Sequence, residues 1–177
     1  MEDLRVETER LLILPMSYSF MTSLLEGTQT DLELQGYLLC EGWVNMEVLS
    51  YVDIIRSLMP QEGAVDGFYT WAVVDKHTGM IIGDIGFKGR PNELGIIDIG
   101  YGLAPSARGR HIATEAVLAM LQWAFAQPGV RRVSAECLED NTASVRILKN
   151  MGMREMLRDG NTIFWEVKRE QFLQPSY

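Results

Sequence analysis

Residues 94–116 read Leu94-Gly95-Ile96-Ile97-Asp98-Ile99-Gly100-Tyr101-Gly102-Leu103-Ala104-Pro105-Ser106-Ala107-Arg108-Gly109-Arg110-His111-Ile112-Ala113-Thr114-Glu115-Ala116. The first part alternates with the period of a strand. Ile97, Ile99, Tyr101 and Leu103 share one face, and Ile96, Asp98, Gly100 and Gly102 share the other. Two glycines on one face leave a gap, which in a strand marks a bulge or a place where another backbone or a ligand comes close. Pro105 to His111 is a short loop, after which Ile112, Ala113, Ala116, Val117, Met120, Leu121, Ala124 and Phe125 recur at helical spacing until Gln127-Pro128-Gly129. Val133, Ala135 and Cys137 then alternate with Arg132, Ser134 and Glu136 as another strand. Strand, loop, helix and strand together predict a right-handed βαβ-type crossover.

Upstream, Arg10 to Pro15 is a short apolar run closed by proline, as in a first strand, and residues 17–63 read as helical, punctuated by Gly27, Gly36 and Gly42. Tyr69 to Val74, the turn Asp75-Lys76-His77-Thr78-Gly79 and Met80 to Phe87 predict a β-hairpin. Downstream, Glu139 to Thr142 opens a helix that ends at Gly152, and two strands, 153–158 and 162–168, are joined by Asp159-Gly160-Asn161. The fold class is therefore mixed α and β around a largely antiparallel sheet, with no internal repeat and no evident linker.

The chain has 177 residues, 47% hydrophobic and 23% charged, which is globular usage. Its formal charge of -8 disfavours nucleic acid and anionic membrane surfaces as partners. No apolar run approaches the ~20 residues of a membrane span, and the opening residues MEDLRVETER lack a signal-peptide pattern, so a cytoplasmic protein is expected. Cys40 and Cys137 lie far apart without metal-ligand spacing, and His77 and His111 are the only histidines, so no metal is expected.

The loop Arg108 to Thr114 stands where a strand enters a helix. A helix start presents unpaired N–H groups and a positive dipole end, so small residues and arginines there suit phosphates. On spacing alone a solvated turn fits equally well, since neither the P-loop nor the dinucleotide glycine spacing is present. The region from Asp98 to Ala116 resembles the acetyl-CoA motif of GNAT superfamily N-acetyltransferases, closest to the ribosomal-protein amino-terminal acetyltransferase branch. The family loop reads Arg/Gln-x-x-Gly-x-Gly/Ala; Arg108 and Ala113 stand at its ends, and His111 replaces a glycine. Asn141-Thr142-Ala143-Ser144 and Leu148 to Met153 are similar to the family's downstream segment.

The resemblance implies an α/β (α+β) fold with a mostly antiparallel twisted sheet of about 6 to 7 strands, splayed in the middle and flanked by about 4 helices. It implies one acyltransferase domain over 1–177, with 17–66 as the acceptor-side segment and 94–152 as the acetyl-CoA core. The amides of Gly109, Arg110, His111, Ile112, Ala113 and Thr114, beside Arg108, would hold the coenzyme pyrophosphate. Leu103 and its neighbours would bond the pantetheine arm, and Asn141 and Ser144 would line the far wall. The amine attacks the thioester directly, so the protein positions the substrates, removes a proton and stabilises the oxyanion. Asp98, where related sequences often carry Glu, is the first choice of base, ahead of Glu136, Glu93 or water. Many relatives protonate the thiolate with a tyrosine where this chain has Leu148, which leaves Ser144 or water. A non-catalytic acyl-CoA-binding module is the alternative, and homodimers are common among similar proteins.

Charge is divided along the chain. Residues 105–158 carry eight Lys/Arg against five Asp/Glu, whereas residues 1–104 carry six against sixteen. An anionic coenzyme on the first part and a cationic amine on the second are expected.

Overall fold

The computed structural model describes residues 4–61 and 65–174. The helical segment expected over 17–66 falls partly on residues 62–64, which lie outside the described residues. Nine strands form one sheet: β1 (Val6–Glu7), β2 (Leu11–Pro15), β3 (Leu38–Leu39), β4 (Thr70–Asp75), β5 (Met80–Phe87), β6 (Ile96–Leu103), β7 (Arg132–Leu138), β8 (Arg154–Asp159) and β9 (Thr162–Lys168). Six helices accompany them: α1 (Tyr18–Glu26), α2 (Asp31–Leu34), α3 (Met46–Leu58), α4 (Ile112–Ala126), α5 (Thr142–Asn150) and α6 (Arg169–Leu173). The spatial order is β1-β2-β4-β5-β6-β7-β9-β8, with β3 beside the start of β5. Pairs are antiparallel except β3 with β5 and β6 with β7, so the strand-loop-helix-strand reading gives the parallel pair expected of it.

Local chemistry sets the helix ends. The Ser17 hydroxyl accepts from Phe20 N at α1, the Asn45 carboxamide accepts from Glu47 N and Val48 N at α3, and Gly27 ends α1 in the left-handed conformation. β4, the first arm of the expected hairpin, is buried at all six positions because helices cover both faces of the sheet there. One core, with Ile13, Trp71, Ile85, Phe87, Ile97 and Ile99 from the sheet, packs beneath α4 through Ala116, Val117, Met120 and Leu121. The opposite core joins Ala72, Val74 and Ile81 to Phe20, Leu24, Val52 and Ile55 from α1 and α3, with Trp43 from the loop before α3. Each fully buried large apolar side chain contributes roughly 1.5–3 kcal/mol, so these two layers hold the sheet's centre rigid.

Candidate active site

β6 and β7 pair only at their beginnings, where Ile96, Ile97 and Asp98 face Arg132, Val133 and Ser134. Beyond that apex β6 runs on with β5 as far as Leu103, and β7 runs on with β9 as far as Leu138. Among the described residues no strand lies between the inner edges of 99–103 and 135–138, so backbone donors and acceptors line a V-shaped opening. Ser134 Oγ closes the apex by donating to Ile97 O at 3.2 Å and to Asp98 Oδ2 at 2.9 Å. Lys88 Nζ braces it further, 2.8 Å from Asp98 Oδ1 and 2.9 Å from Glu136 Oε1. Asp98 therefore sits at the apex with both oxygens engaged.

The mouth of the V meets the loop before α4. Among the described residues, no backbone or side-chain acceptor takes the N–H groups of residues 109–114; the first such donor is Glu115 N, which bonds His111 O at 3.1 Å. His111, with φ 59° and ψ 15°, begins the helix in the left-handed region, the only positive-φ residue other than glycine among those described. That conformation accounts for glycine at this place in the family loop: a side chain there costs roughly 1–2 kcal/mol, and histidine tolerates it better than most. Gly109 is also left-handed, φ 73°, with open space where a Cβ would stand. Arg108 Nε turns back onto Leu103 O at 3.1 Å, tying the loop to the end of β6. Six consecutive unbonded amides at a helix N-terminus fit an anionic diphosphate well.

On the far wall, Asn141 Oδ1 accepts from Ser144 N at 3.1 Å and so caps α5. Tyr101 of β6 reaches this wall with its hydroxyl buried and unpartnered; burial pushes the phenol up, the nearby Ser144 hydroxyl opposes this, and Cys137 adds to it. Leu148 is core, 1% exposed. Cys137 Sγ accepts from Trp165 Nε1 at 3.3 Å, a packing role.

The other face of β6 carries the glycines. Asp84 of β5 stands opposite Gly102, and Gly86 stands opposite Gly100. The Asp84 carboxylate is 6% exposed and accepts from the Trp43 indole at 2.8 Å. Burial pushes its carboxyl up to about 6, the Trp43 bond opposes this, and the charge of Glu47 adds to the rise. Among the described residues no cluster of three or more His, Cys, Asp or Glu could hold a metal ion, and no helix is long and apolar enough to cross a membrane.

A family model for the acetyltransferase (GNAT) domain matches residues 10–154. The chain belongs to the GNAT acetyltransferase family. It is 27% identical over 147 residues to the uncharacterized N-acetyltransferase YjdG of Bacillus subtilis, covering 83% of this chain and 88% of that protein. It is 28% identical over 138 residues to the uncharacterized N-acetyltransferase p20 of Bacillus licheniformis, covering 69% and 76%. Among solved structures, a GNAT-family acetyltransferase from Bacillus anthracis superposes with TM-score 0.61 at 22% identity, over 94% of this chain and 99% of that one. A ribosomal-protein-S5-alanine acetyltransferase from Vibrio fischeri does so with TM-score 0.62 at 17% identity, over 96% and 99%. Both likenesses show the GNAT fold.

In this GNAT chain the loop residues Arg108 to Thr114 and the strand end at Leu103 are brought to the mouth of the V, and Asn141 and Ser144 to its far side. Asp98 is at the apex, while Glu93 lies exposed in the turn before β6 and Glu136 is taken up by Lys88. Sequence patterns give Asp84, Trp43 and Tyr51 no site role and place Tyr101 only as a strand residue. Asp84 had one signal available, a lone carboxylate inside the run Met80-Ile81-Ile82-Gly83-Asp84-Ile85-Gly86-Phe87.

Proposed function

We propose that this protein transfers the acetyl group of acetyl-CoA to a primary amine on a cationic acceptor. The observation that carries the reading is the row of unbonded amides at residues 109–114, opening onto an unpaired strand edge. When bound there, acetyl-CoA supplies a thioester carbonyl open to attack. The amides and the α4 dipole hold its diphosphate, and the inner edge of β6 near Leu103 offers main-chain partners to its amide-bearing arm. Asn141 and Ser144 line the opposite wall, with the Tyr101 hydroxyl beside Ser144 as the nearer phenolic acid for a departing thiolate. Asp98 fixes the apex with Lys88 and contributes negative charge to the acceptor side.

A second reading, a non-catalytic acyl-CoA-binding module, draws on His111 in the left-handed position and on the buried Leu148. One experiment separates the two. Release of free CoA thiol from acetyl-CoA is followed over a panel of polyamines, aminoglycosides, amino acids, amino-acid amides and peptides, beside calorimetric titration of CoA. Turnover on any amine establishes the transferase. Tight CoA binding with no thiol release across the panel leaves the binding module.

A further inference from the structure

Two glycines, Gly100 and Gly102, clear a lane on the face of the sheet beneath α3, whereas the place of a side chain at Gly86 is filled by the backbone of Tyr69 and Thr70. Thr70 stands opposite Gly86, Gly86 opposite Gly100, and Asp84 opposite Gly102 across the paired strands, so all share one face. A Cβ added at Gly100 would lie 3.7 Å from Tyr51 Oη, and one added at Gly102 would lie 3.4 Å from Asp84 Oδ1. The phenol of α3 and the carboxylate of β5 thus border the same side-chain-free lane, next to the strand edge that opens the V. Tyr51 Oη and Thr70 Oγ1 are buried without a hydrogen-bond partner, and Thr70 is only 1% exposed. The two hydroxyls lie next to each other, and a ligand's polar group reaching the Tyr51 phenol would complete their hydrogen bonding.

The charges that act on Asp84 and Tyr51 are carboxylates. Glu47 acts on Asp84, and Asp84 and Asp98 act on Tyr51. Lys88, the cation beside Asp98, is held between Asp98 and Glu136. An ammonium entering the lane is attracted, whereas a carboxylate on the carbon next to it would be repelled, since the cation nearest Asp98 among the described residues, Lys88, is already paired with Asp98 and Glu136.

We infer that Asp84 and Tyr51 bind the acceptor's ammonium over Gly100 and Gly102, and that the acceptor is a primary amine with no carboxylate beside its nitrogen. The inference rests on the transferase reading and names its substrate class. The ammonium gives one proton to the Asp84 carboxylate, and the freed lone pair forms the C–N bond at the thioester carbon. The C–S bond breaks with its electron pair leaving on sulfur, the Tyr101 hydroxyl protonates the sulfur and is reprotonated by the second proton lost by the nitrogen, and Asp84 returns its proton to water. The products are the N-acetylated amine, CoA thiol and one proton. A buried carboxyl whose proton affinity is raised toward neutrality suits that exchange.

The test uses the full chain saturated with CoA and follows the indole N–H resonance of Trp43, identified with Trp43→Phe, during titration with L-phenylalaninamide, spermidine or L-phenylalanine. The amide and the polyamine are expected to move that resonance and the free amino acid to leave it in place. With acetyl-CoA, kcat/KM is expected to be at least about a hundredfold higher for L-phenylalaninamide than for L-phenylalanine, and to fall by about a hundredfold in Asp84→Asn with CoA affinity retained. Tyr51→Phe carries the same expectation at about tenfold, which keeps the test intact should Asp84→Asn misfold. Equal use of the amide and the acid overturns the inference, as does an unmoved Trp43 resonance or wild-type kcat/KM in Asp84→Asn. Failure of the transferase reading shows separately, as the absence of thiol release from acetyl-CoA with every amine of the panel.

Discussion

Arg10 and Glu115, 105 residues apart in the chain, meet at 2.6 Å where the start of β2 touches the first turn of α4. Glu115 also accepts from Thr8 Oγ1 and from Arg10 N, and Arg10 Nη1 reaches Arg110 O at 3.0 Å. One carboxylate therefore clasps the amide row to the edge of the sheet. Partial burial would raise the Glu115 carboxyl, but the Thr8 and Arg10 bonds hold it below its ordinary value. Glu115→Gln is expected to weaken CoA binding several-fold in calorimetry while leaving the fold intact. A carboxyl lowered in the folded state gives stability that is present above its unfolded value near pH ~4.3 and is lost as pH falls through the folded one. Urea midpoints measured between pH 6 and pH 3 should accordingly fall less in Glu115→Gln than in the wild type.

His111 holds a conformation that glycine adopts without strain. His111→Gly is expected to stabilise the protein by up to about 1 kcal/mol, the relief of the left-handed strain less the extra backbone entropy of glycine. His111→Val should destabilise it, because a β-branched side chain tolerates that region poorly. Denaturant melts of both variants check this, and a His111→Gly variant weaker than wild type would refute the strain account.

Gly100 faces open space apart from the Tyr51 hydroxyl. Gly100→Ala should be neutral or stabilising by about 0.5–1 kcal/mol, as alanine normally is in place of glycine in a strand. Its methyl group narrows the lane, so acetyl transfer should drop at least tenfold. Paired melting curves and steady-state rates would show stability and activity parting company; a joint fall in both would mean that Gly100 is merely structural.

Asp84 makes the opposite pH signature to Glu115. Its carboxyl is raised from 3.8 to about 6, so the associated stability is present below the unfolded value and is lost as pH rises through about 6. The groups facing it are Trp43, Glu47, Tyr51 and, through Tyr51, Asp98. Asp84→Asn keeps an acceptor for the Trp43 indole, and it should be more stable than wild type at pH 8 by on the order of 2–3 kcal/mol. Below pH 4 the two should converge. Equal stability at both pH values would refute the raised carboxyl.

The division of charge along the chain carries a kinetic consequence. If the acidic part steers a cationic acceptor, the acceptor KM should rise with ionic strength between 20 and 300 mM salt, as screening over about 10 Å at 0.1 M predicts. A salt-independent KM for spermidine would end that idea.

The strands and long helices were legible because their signals are local. Alternation at Ile97, Ile99 and Tyr101 and helical spacing from Ile112 to Phe125 survive in β6 and α4 as read. The glycine and arginines of the amide loop fit a solvated turn equally well, so the loop stood out through its resemblance to the GNAT motif, and the structure adds the left-handed backbone of His111. β3 and α6 carried no comparable signal: the first is two residues long and exists by pairing with β5, and the second docks Phe172 on Phe125 at 5.1 Å between ring centroids. Asp84 was hidden for a different reason. Its meaning depends on register with Gly102 and on Trp43, 41 residues away, and neither relation has a period in the sequence.

The sheet is two ladders, β1-β2-β4-β5-β6 and β7-β9-β8, riveted by three residue pairs at 96–98 and 132–134. Such a seam is where a molecule breathes: each ladder keeps its own hydrogen bonds, while the short joint between them opens at a smaller free energy than either. Amide hydrogen exchange at those amides of residues 132–134 that point to β6 would therefore run ahead of that at Val73 or Ile85. The width of the cleft is in this sense a mechanical property, set by how firmly three rungs of a ladder resist being unzipped.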